Sequence, residues 1–282
     1  MNFTIITPSF NYGRFLGECL QSVAEQLEEV LVDDKKRAGA PRSLMIEHIV
    51  LDGGSTDDSA DVAARFPHVT WIQEPDKGMS DAINKGFERA QGEWVMWLNA
   101  DDRLKPGVLA EMLPLLERSK SDVVYGDWDF VDADGQFQRR MRALKWSNFV
   151  HVHHHCYIGS TAAFLRRRTV LDEGFRLRTD FRVVMDGELY ARLAMAGKHL
   201  EHVPVNVADF RLHGENASQR ILGKTRDMDR IMAAERVHVE SRAIRRAYGI
   251  TLFEDPYLNG LVDGVLWIVA RIWKILKKSL KV

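Results

Sequence analysis

Short apolar runs alternate with stretches in which apolar residues return every three or four positions. Phe3–Ser9 reads as a strand, and Arg14–Gln26 as a helix whose inner face is Phe15, Cys19, Leu20 and Val23. Ile46–Asp52 is a second strand. Ser55-Thr56-Asp57-Asp58 then supplies acids and cap residues, Ser55 being the expected cap, ahead of a helix over Asp58–Arg65. Thr70–Gln73, Ser80–Ala90 and Trp94–Leu98 continue as strand, helix and strand, and Pro106 stands in the first turn of a helix ending at Arg118. The mixed-charge segment Glu28–Arg42, with Gly39 and Pro41, reads as a loop insertion. This rhythm predicts an α/β fold, a mixed but mainly parallel sheet with helices on both faces.

After Asp122 the rhythm changes. Val123–Gly126 is strand-like, and Trp128–Val131 and Phe137–Met141 flank an Asp134-Gly135 turn as a hairpin. The expected organisation is a catalytic unit over 1–220, divided into halves at 122/123, followed by a helical extension over 221–282. In the extension, Leu258, Leu261, Val262, Val265, Leu266, Val269, Ile272, Trp273, Leu276 and Leu280 keep helical spacing, and Asp263, Arg271, Lys274, Lys278 and Lys281 take other faces. The charges inside it make a poor membrane-spanning segment. Two readings stay open: an amphipathic helix over 258–281 lying in the plane of an anionic membrane, and a helix packed on the catalytic unit or on a second subunit of a homo-oligomer.

Composition narrows the classes. Of 282 residues, 45% are hydrophobic and 28% charged, as in a globular protein, and a net charge of -1 gives no general attraction for nucleic acid. Two cysteines cannot form a disulfide framework, and the chain opens directly on the first strand without an export segment. A cytoplasmic protein with reduced thiols is expected.

The chemistry gathers where strands stop. Asn99-Ala100-Asp101-Asp102 follows the apolar Trp94–Leu98, and two hard carboxylates at a strand end suit a divalent cation held against a phosphate. Asp52 ends the second strand, where it can accept from a base or ribose while Gly53 and Gly54 allow close approach. Met185–Leu193 suits a helix start, with Leu189 and Leu193 toward the core, a Glu188–Arg192 pair one turn apart, and Asp186 facing a cleft. The run His151-Val152-His153-His154-His155-Cys156 lacks the separated pairs of a structural zinc site. Arg166-Arg167-Arg168 reads as a solvated surface, with one arginine available to a phosphate.

Taken in order, TPSFNYGRFLGECLQSV, HIVLDGGSTDDS, EPDKGMSDAINKG, WLNADD, MDGELYARLAMAG and RLHGENAS resemble glycosyltransferase family 2, the inverting enzymes of the GT-A fold, and within it bacterial enzymes of exopolysaccharide or lipopolysaccharide synthesis. The resemblance implies donor contacts from Thr7, Pro8, Asp52, Asp81 and Asp101, with the first half, 1–122, as donor half and 123–220 as acceptor half. It implies Mn2+ or Mg2+ ligated by Asp102 and His213, and Asp186 as general base. His155 and Glu188 are the expected acceptor-side residues. The implied reaction moves a sugar from a nucleotide diphosphate sugar, taken as a UDP-sugar, to a saccharide or lipid-linked acceptor by one displacement, in the cytoplasm or on the inner face of the plasma membrane.

That chemistry suits these residue types independently. A departing diphosphate gathers negative charge that a cation stabilises, and an acceptor hydroxyl needs a base to take its proton. Gly53 departs from the family pattern, where a second acid is common, and the 28–42 insertion has no counterpart in it. Two other classes compete: a non-catalytic nucleotide-binding subunit of a membrane-associated assembly, and a sugar nucleotidyltransferase. The intact carboxylates speak against the first, and the lack of a glycine- and lysine-rich loop over Thr7–Arg14 against the second.

Overall fold

Asn2–Ser9 forms β1, followed by α1 (Gly13–Lys36), β2 (Met45–Asp52), α2 (Ser59–Ala63), β3 (Val69–Gln73), α3 (Met79–Arg89), β4 (Trp94–Trp97), β5 (Arg103–Leu104) and α4 (Val108–Arg118). The later elements are β6 (Val123–Asp132), β7 (Phe137–Met141), α5 (Asn148–His153), a 3-10 turn (Ser160–Ala162), β8 (Ala163–Arg166), α6 (Arg167–Leu171), α7 (Met185–Met195) and β9 (Leu200–Leu212). Helices α8 (239–248) and α9 (Pro256–Ser279) close the chain. The computed structural model describes residues 2–36, 45–154, 156–214, 216, 239–249 and 256–279.

One sheet runs β3-β2-β1-β4-β8-β6-β9-β5, with β7 on the remaining edge of β6. Strands β1 to β4 are mutually parallel where they pair, β8 is antiparallel to both β4 and β6, and β9 is parallel to β6. The sheet is therefore mixed, and it continues unbroken from the first half of the chain into the second. Because the chain steps from β1 to β2 and β3 on one side and returns to β4 on the other, β1 and β4 diverge at a topological switch point. Loops leaving such a point open a crevice. Every residue from Trp94 to Leu98 is fully buried, so β4 reads as an unbroken apolar run.

Several elements differ from the sequence reading. Helix α1 does not stop at Gln26 but continues to Lys36, taking in the first part of the supposed loop insertion. Val23, Gln26, Leu27 and Val30 extend its inward stripe, and the intervening charges take the solvent face. Gln26 also caps another helix: α4 begins after the left-handed Gly107, which has no side chain to offer, and Gln26 Oε1 accepts the Leu109 N–H at 3.0 Å. Pro106 lies ahead of that helix rather than in its first turn. Ser55 caps nothing. Asp58 occupies the cap position of α2, and Ser55 belongs to the loop network of Asp52. The hairpin is present as β6 and β7, with Gly135 at a φ of 77° in its turn.

Helix α3 lies on β1 through a face that includes Ala82, Ile83, Gly86 and Phe87. A Cβ at Gly86 would stand 2.5 Å from Ile6 Cγ2, so only hydrogen fits between helix and strand. Gly86→Ala is therefore expected to destabilise the protein by about 1–3 kcal/mol through overpacking, despite alanine's better helix propensity. Urea unfolding checks this; an unchanged or raised midpoint would show that helix and strand can separate without cost.

Candidate active site

A cavity of about 530 Å3 opens at the switch point, within the range of roughly 300–1,000 Å3 typical of small-molecule sites. Pro8, Ser9 and Phe10 enter it from the end of β1, Gly53 from the end of β2, and Asn99, Ala100 and Asp101 from the end of β4. Parallel register brings these ends together: Ser9 pairs with Asp52, and Ile6 with Trp97. Arg182, Val183, Met185 and Asp186 line the opposite wall, with Phe210 and Asn216 nearby.

The loops that follow β1 and β2 are tied to one another. Asn11 adopts φ 56°, a left-handed conformation that asparagine tolerates better than most residues, and its Oδ1 accepts from Thr56 N at 2.8 Å. Its own N–H donates to Ser55 Oγ, and Gly13 N donates to Asp57 Oδ2 at 2.9 Å. Asp52 does not face the cavity. Its Oδ2 accepts from Gly54 N, Ser55 N and Gln73 Nε2 at 3.1, 2.8 and 2.9 Å, and Ser55 Oγ donates to Oδ1, so its acceptors organise the loop. Gly53 backbone, not the Asp52 carboxylate, borders the space.

Asp101 and Asp102 point in different directions. Asp101 lines the cavity, and its Oδ2 lies 2.9 Å from His213 Nε2 and accepts from Asn216 Nδ2 at 2.8 Å. Asp102, buried to 1% exposure, turns into the fold: Oδ1 accepts the Arg211 N–H at 2.8 Å and Oδ2 accepts from Asn99 Nδ2 at 2.8 Å. Burial, and then the neighbouring Asp101 charge, push the Asp102 carboxyl well above its usual range. The structure thus places Asp102, the expected cation ligand, in the turn behind Asp101 and outside the cavity lining. A carboxylate whose two oxygens hold the turn has no oxygen directed at the cavity.

Arg211 fixes both. Its guanidinium donates from Nε to Asp101 O at 2.9 Å, from Nη1 to Ala133 O at 2.8 Å and from Nη2 to Glu18 Oε2 at 2.5 Å, while its plane lies over Phe15. His213 packs its ring against Phe15 at 4.6 Å and Tyr12 at 6.0 Å, so the imidazole beside Asp101 is held by aromatic contact.

On the opposite wall, Asp186 is the second residue of α7 and its Oδ1 accepts from Gly187 N at 2.7 Å. Burial raises its carboxyl to about 6, into the range that suits a general base near neutral pH. Leu189 and Leu193 are buried as expected. Glu188, expected on the acceptor side, does not line the cavity: it is fully buried, receives Arg192 Nε and Nη2 at 3.0 Å each, and accepts from Tyr248 Oη at 2.9 Å. His151 Nε2 lies 2.7 Å from Gly187 O, and burial depresses its imidazole to about 4. His154 stacks on Trp267, and His155 lies outside the described residues.

Of the remaining expected contacts, Pro8 is in the cavity and Thr7 and Asp81 are not. Thr7 is buried with Oγ1 2.9 Å from His48 Nε2. Asp81 closes the first turn of α3, accepting from Lys77 N at 3.0 Å with Lys85 Nζ at 3.6 Å. Asp76, five positions earlier, lines the cavity and accepts from Gly78 N at 2.6 Å. The arginines at the end of β8 and the start of α6 lie away from the cavity: Arg166 stacks on Trp94 at 4.3 Å and Arg167 Nε donates to Ala90 O. Asp76, Arg182, Arg211 and Asn216 were missed as individual residues. Asp76, Arg211 and Asn216 sit inside motifs that the sequence already singles out, but chain order does not show which polar side chain of a motif turns inward.

Among the described residues no group of three His, Cys, Asp or Glu side chains converges as a closed metal cage. Asp101 and His213 form a partial donor set of one carboxylate and one imidazole, held by Asn216, whose Nδ2 donates to Asp101 and whose Oδ1 accepts from His213 N. Such a set suits a hard cation whose other positions are filled by water and ligand phosphates.

An α/β sheet with a largely apolar cavity at its switch point, lined by the carboxylates of Asp101 and Asp186, defines a ligand-binding class of α/β protein. The model of glycosyl transferase family 2 matches residues 4–175, more than half of the chain, and the protein belongs to that family. It is 28% identical over 235 residues to an uncharacterized glycosyltransferase of Nostoc sp., covering 77% of this chain and 66% of the relative. It is 34% identical over 132 residues to a PGL/p-HBAD biosynthesis glycosyltransferase of Mycobacterium tuberculosis, covering 44% of this chain and 46% of the relative. The chain thus aligns with less than two thirds of either relative's length. Among solved structures, Staphylococcus aureus TarS 1–349 in complex with UDP-GlcNAc superposes with a TM-score of 0.58 at 14% identity, over 96% of this chain and 79% of that one. The mannosyltransferase PcManGT of Pyrobaculum calidifontis, in complex with GDP-Man and Mn2+, superposes at 0.55 and 16% identity, over 98% and 87%. These likenesses establish the shared α/β, GT-A type fold.

The two carboxylates should separate by experiment. Asp102→Ala leaves the Arg211 N–H and the Asn99 amide without acceptors, an expected loss of about 1–3 kcal/mol in metal-free urea unfolding. Asp101→Ala should unfold close to the parent and lose Mn2+-dependent nucleotide binding in calorimetry. The reverse pattern would restore the cation to Asp102.

Proposed function

We propose that the protein is an inverting, metal-dependent glycosyltransferase that moves a sugar from a nucleotide diphosphate sugar, a UDP-sugar first, to a saccharide or lipid-linked acceptor. The observation that carries this reading is one cavity with Asp101, beside His213, on one wall and Asp186 on the other. The relatives' UDP-GlcNAc and GDP-Man complexes, one with Mn2+, support a nucleotide sugar in this space.

In this mechanism the ends of β1, β2 and β4 receive the nucleotide, with Pro8, Phe10 and Asp76 around the base and ribose. Asp101 and His213, steadied by Asn216, would hold Mn2+ or Mg2+, which supplies positive charge for the departing diphosphate. Asp186 takes the proton of the acceptor hydroxyl as that oxygen attacks the anomeric carbon from the face opposite the leaving group, so one displacement inverts the configuration. Apolar walls from Met79, Ala82, Val183, Met185 and Phe210 exclude water around the reacting atoms. The donor and acceptor halves are then the two walls of one crevice in one sheet.

We also propose that α9 contacts the inner leaflet of the plasma membrane, with the protein otherwise in the cytoplasm. No described helix is long and apolar enough to cross a membrane. Ala270 of α9 is buried, whereas Val265, Ile268, Val269, Ile272, Trp273 and Leu276 are exposed along one stripe. Such a stripe, in a helix that also carries lysines, suits an anionic lipid surface.

Incubation with Mn2+ and a panel of UDP- and GDP-sugars should release nucleoside diphosphate. Release of pyrophosphate, or of nothing while nucleotide binds, would replace the reading with a nucleotidyltransferase or a binding subunit. Asp186→Asn should abolish turnover and leave nucleotide affinity intact. Because burial raises Asp186 to about 6, the base is lost as pH falls through that value. The log of kcat/KM should be flat above about pH 7 and fall with unit slope below 6, and a flat acid limb to pH 5 would remove Asp186 from the role. Co-sedimentation with vesicles containing anionic lipid should be lost on truncation before α9; equal sedimentation of the truncated protein would place the membrane contact elsewhere.

A further inference from the structure

The segment that presents Asp186 to the cavity is not held by its own neighbours. Helix α7 starts after Val184, which supplies no side-chain cap. The backbone N–H groups of Arg182, Val183 and Val184 instead converge on Glu240 of α8, at 2.8 Å to Oε1 and 3.0 and 3.1 Å to Oε2. Glu240 is 5% exposed. Three amides donate to one buried carboxylate, and a negative group ahead of a helix N-terminus is also favoured by the helix dipole. A second tie runs from the same helix: Tyr248 Oη donates to Glu188 Oε1 at 2.9 Å, one turn into α7.

Two of the residues so held, Arg182 and Val183, line the cavity, as does Asp186 two positions after Val184. Helix α8 lies beyond residue 175, outside the stretch that matches the family model.

We propose that Glu240 is a positioning residue for the general base: it clamps the 182–184 backbone so that Asp186 and Arg182 face the acceptor hydroxyl, making the C-terminal extension part of the acceptor side of the site. This rests on the reading of Asp186 as the base. The groups facing Asp186 are Glu240 from α8, Cys156 from the loop after α5, Tyr190 from α7 and His151 from α5 through Gly187 O, while Arg182 lines the same cavity with its Nη1 donating to Lys77 O. Of these, Glu240 is the anion that opposes ionisation of Asp186.

Glu240→Ala and Glu240→Gln are compared with the parent in full-length protein, using the nucleotide sugar that the panel selects, with water as acceptor. Glu240→Ala should lower kcat by about 10–100-fold, the cost of a base displaced by around an ångström, with donor KM changed less than about twofold. The amides of 182–184 should lose hydrogen-exchange protection while those of β1 and β4 keep theirs. Glu240→Gln, which keeps one acceptor oxygen but no charge, should recover part of the kcat and shift the acid limb of the pH profile to lower pH. Parent-like kcat and parent-like exchange at 182–184 in Glu240→Ala would overturn the proposal, as would a loss shared equally by kcat, donor KM and exchange throughout the sheet. An active Asp186→Asn beside these variants would fail the base reading itself; an inactive Asp186→Asn with a fully active Glu240→Ala fails only the positioning role.

Discussion

The contact between Arg211 and the Asp101-Asp102 turn is the constraint on which the site depends. A backbone N–H of β9 meets the Asp102 carboxylate, and the Arg211 guanidinium holds Asp101 O, Ala133 O and Glu18. One buried side chain thereby joins the end of β4, the β6–β7 turn and helix α1. Arginine suits this position because its planar fork satisfies several acceptors at once and keeps its charge in a buried setting. With Asp102 committed to the turn, Asp101 is left on the cavity side, beside His213.

The two walls of the cavity use carboxylates in opposite ways. Asp101 accepts from Asn216 Nδ2 and lies against His213 at the cavity wall. Asp186 has one backbone donor and sits where burial dominates, which raises its proton affinity toward neutrality. Residue type is the same in both places, and environment separates the proposed tasks of holding a leaving diphosphate and accepting a proton. The C-terminal helices add a further layer, because Glu240 and Tyr248 reach back to the backbone and first turn that carry Asp186.

The strand and helix periodicity of the first half, including β4 and α3, and the β6–β7 hairpin after it were legible, since each has a local pattern of apolar positions or a turn residue such as Gly135. Strand β9 was not assigned. Pro204 interrupts its alternation, and the strand forms because its pairing with β6 shifts register between Tyr125 and Trp128, near the proline that cannot donate to a ladder. Glu28–Lys36 looked like a loop by charge, yet Val30 continues the buried stripe of α1 and draws that stretch into the helix.

By itself the sequence determined the α/β alternation, the strand ends at which polar residues gather, and the family whose motifs those ends carry, because these are local in the chain. It also placed Asp101 and Asp186 among the few carboxylates at issue. Only the tertiary structure decided which way each one turns. Asp52, Asp102 and Glu188 carry the same carboxyl group as Asp76, Asp101 and Asp186, but their hydrogen-bond donors arrive from their own loop, from β9 and from α8. A carboxylate already saturated by such donors supports the fold, and one left at the cavity wall is available to a ligand; that difference depends on residues distant in sequence, which no motif records.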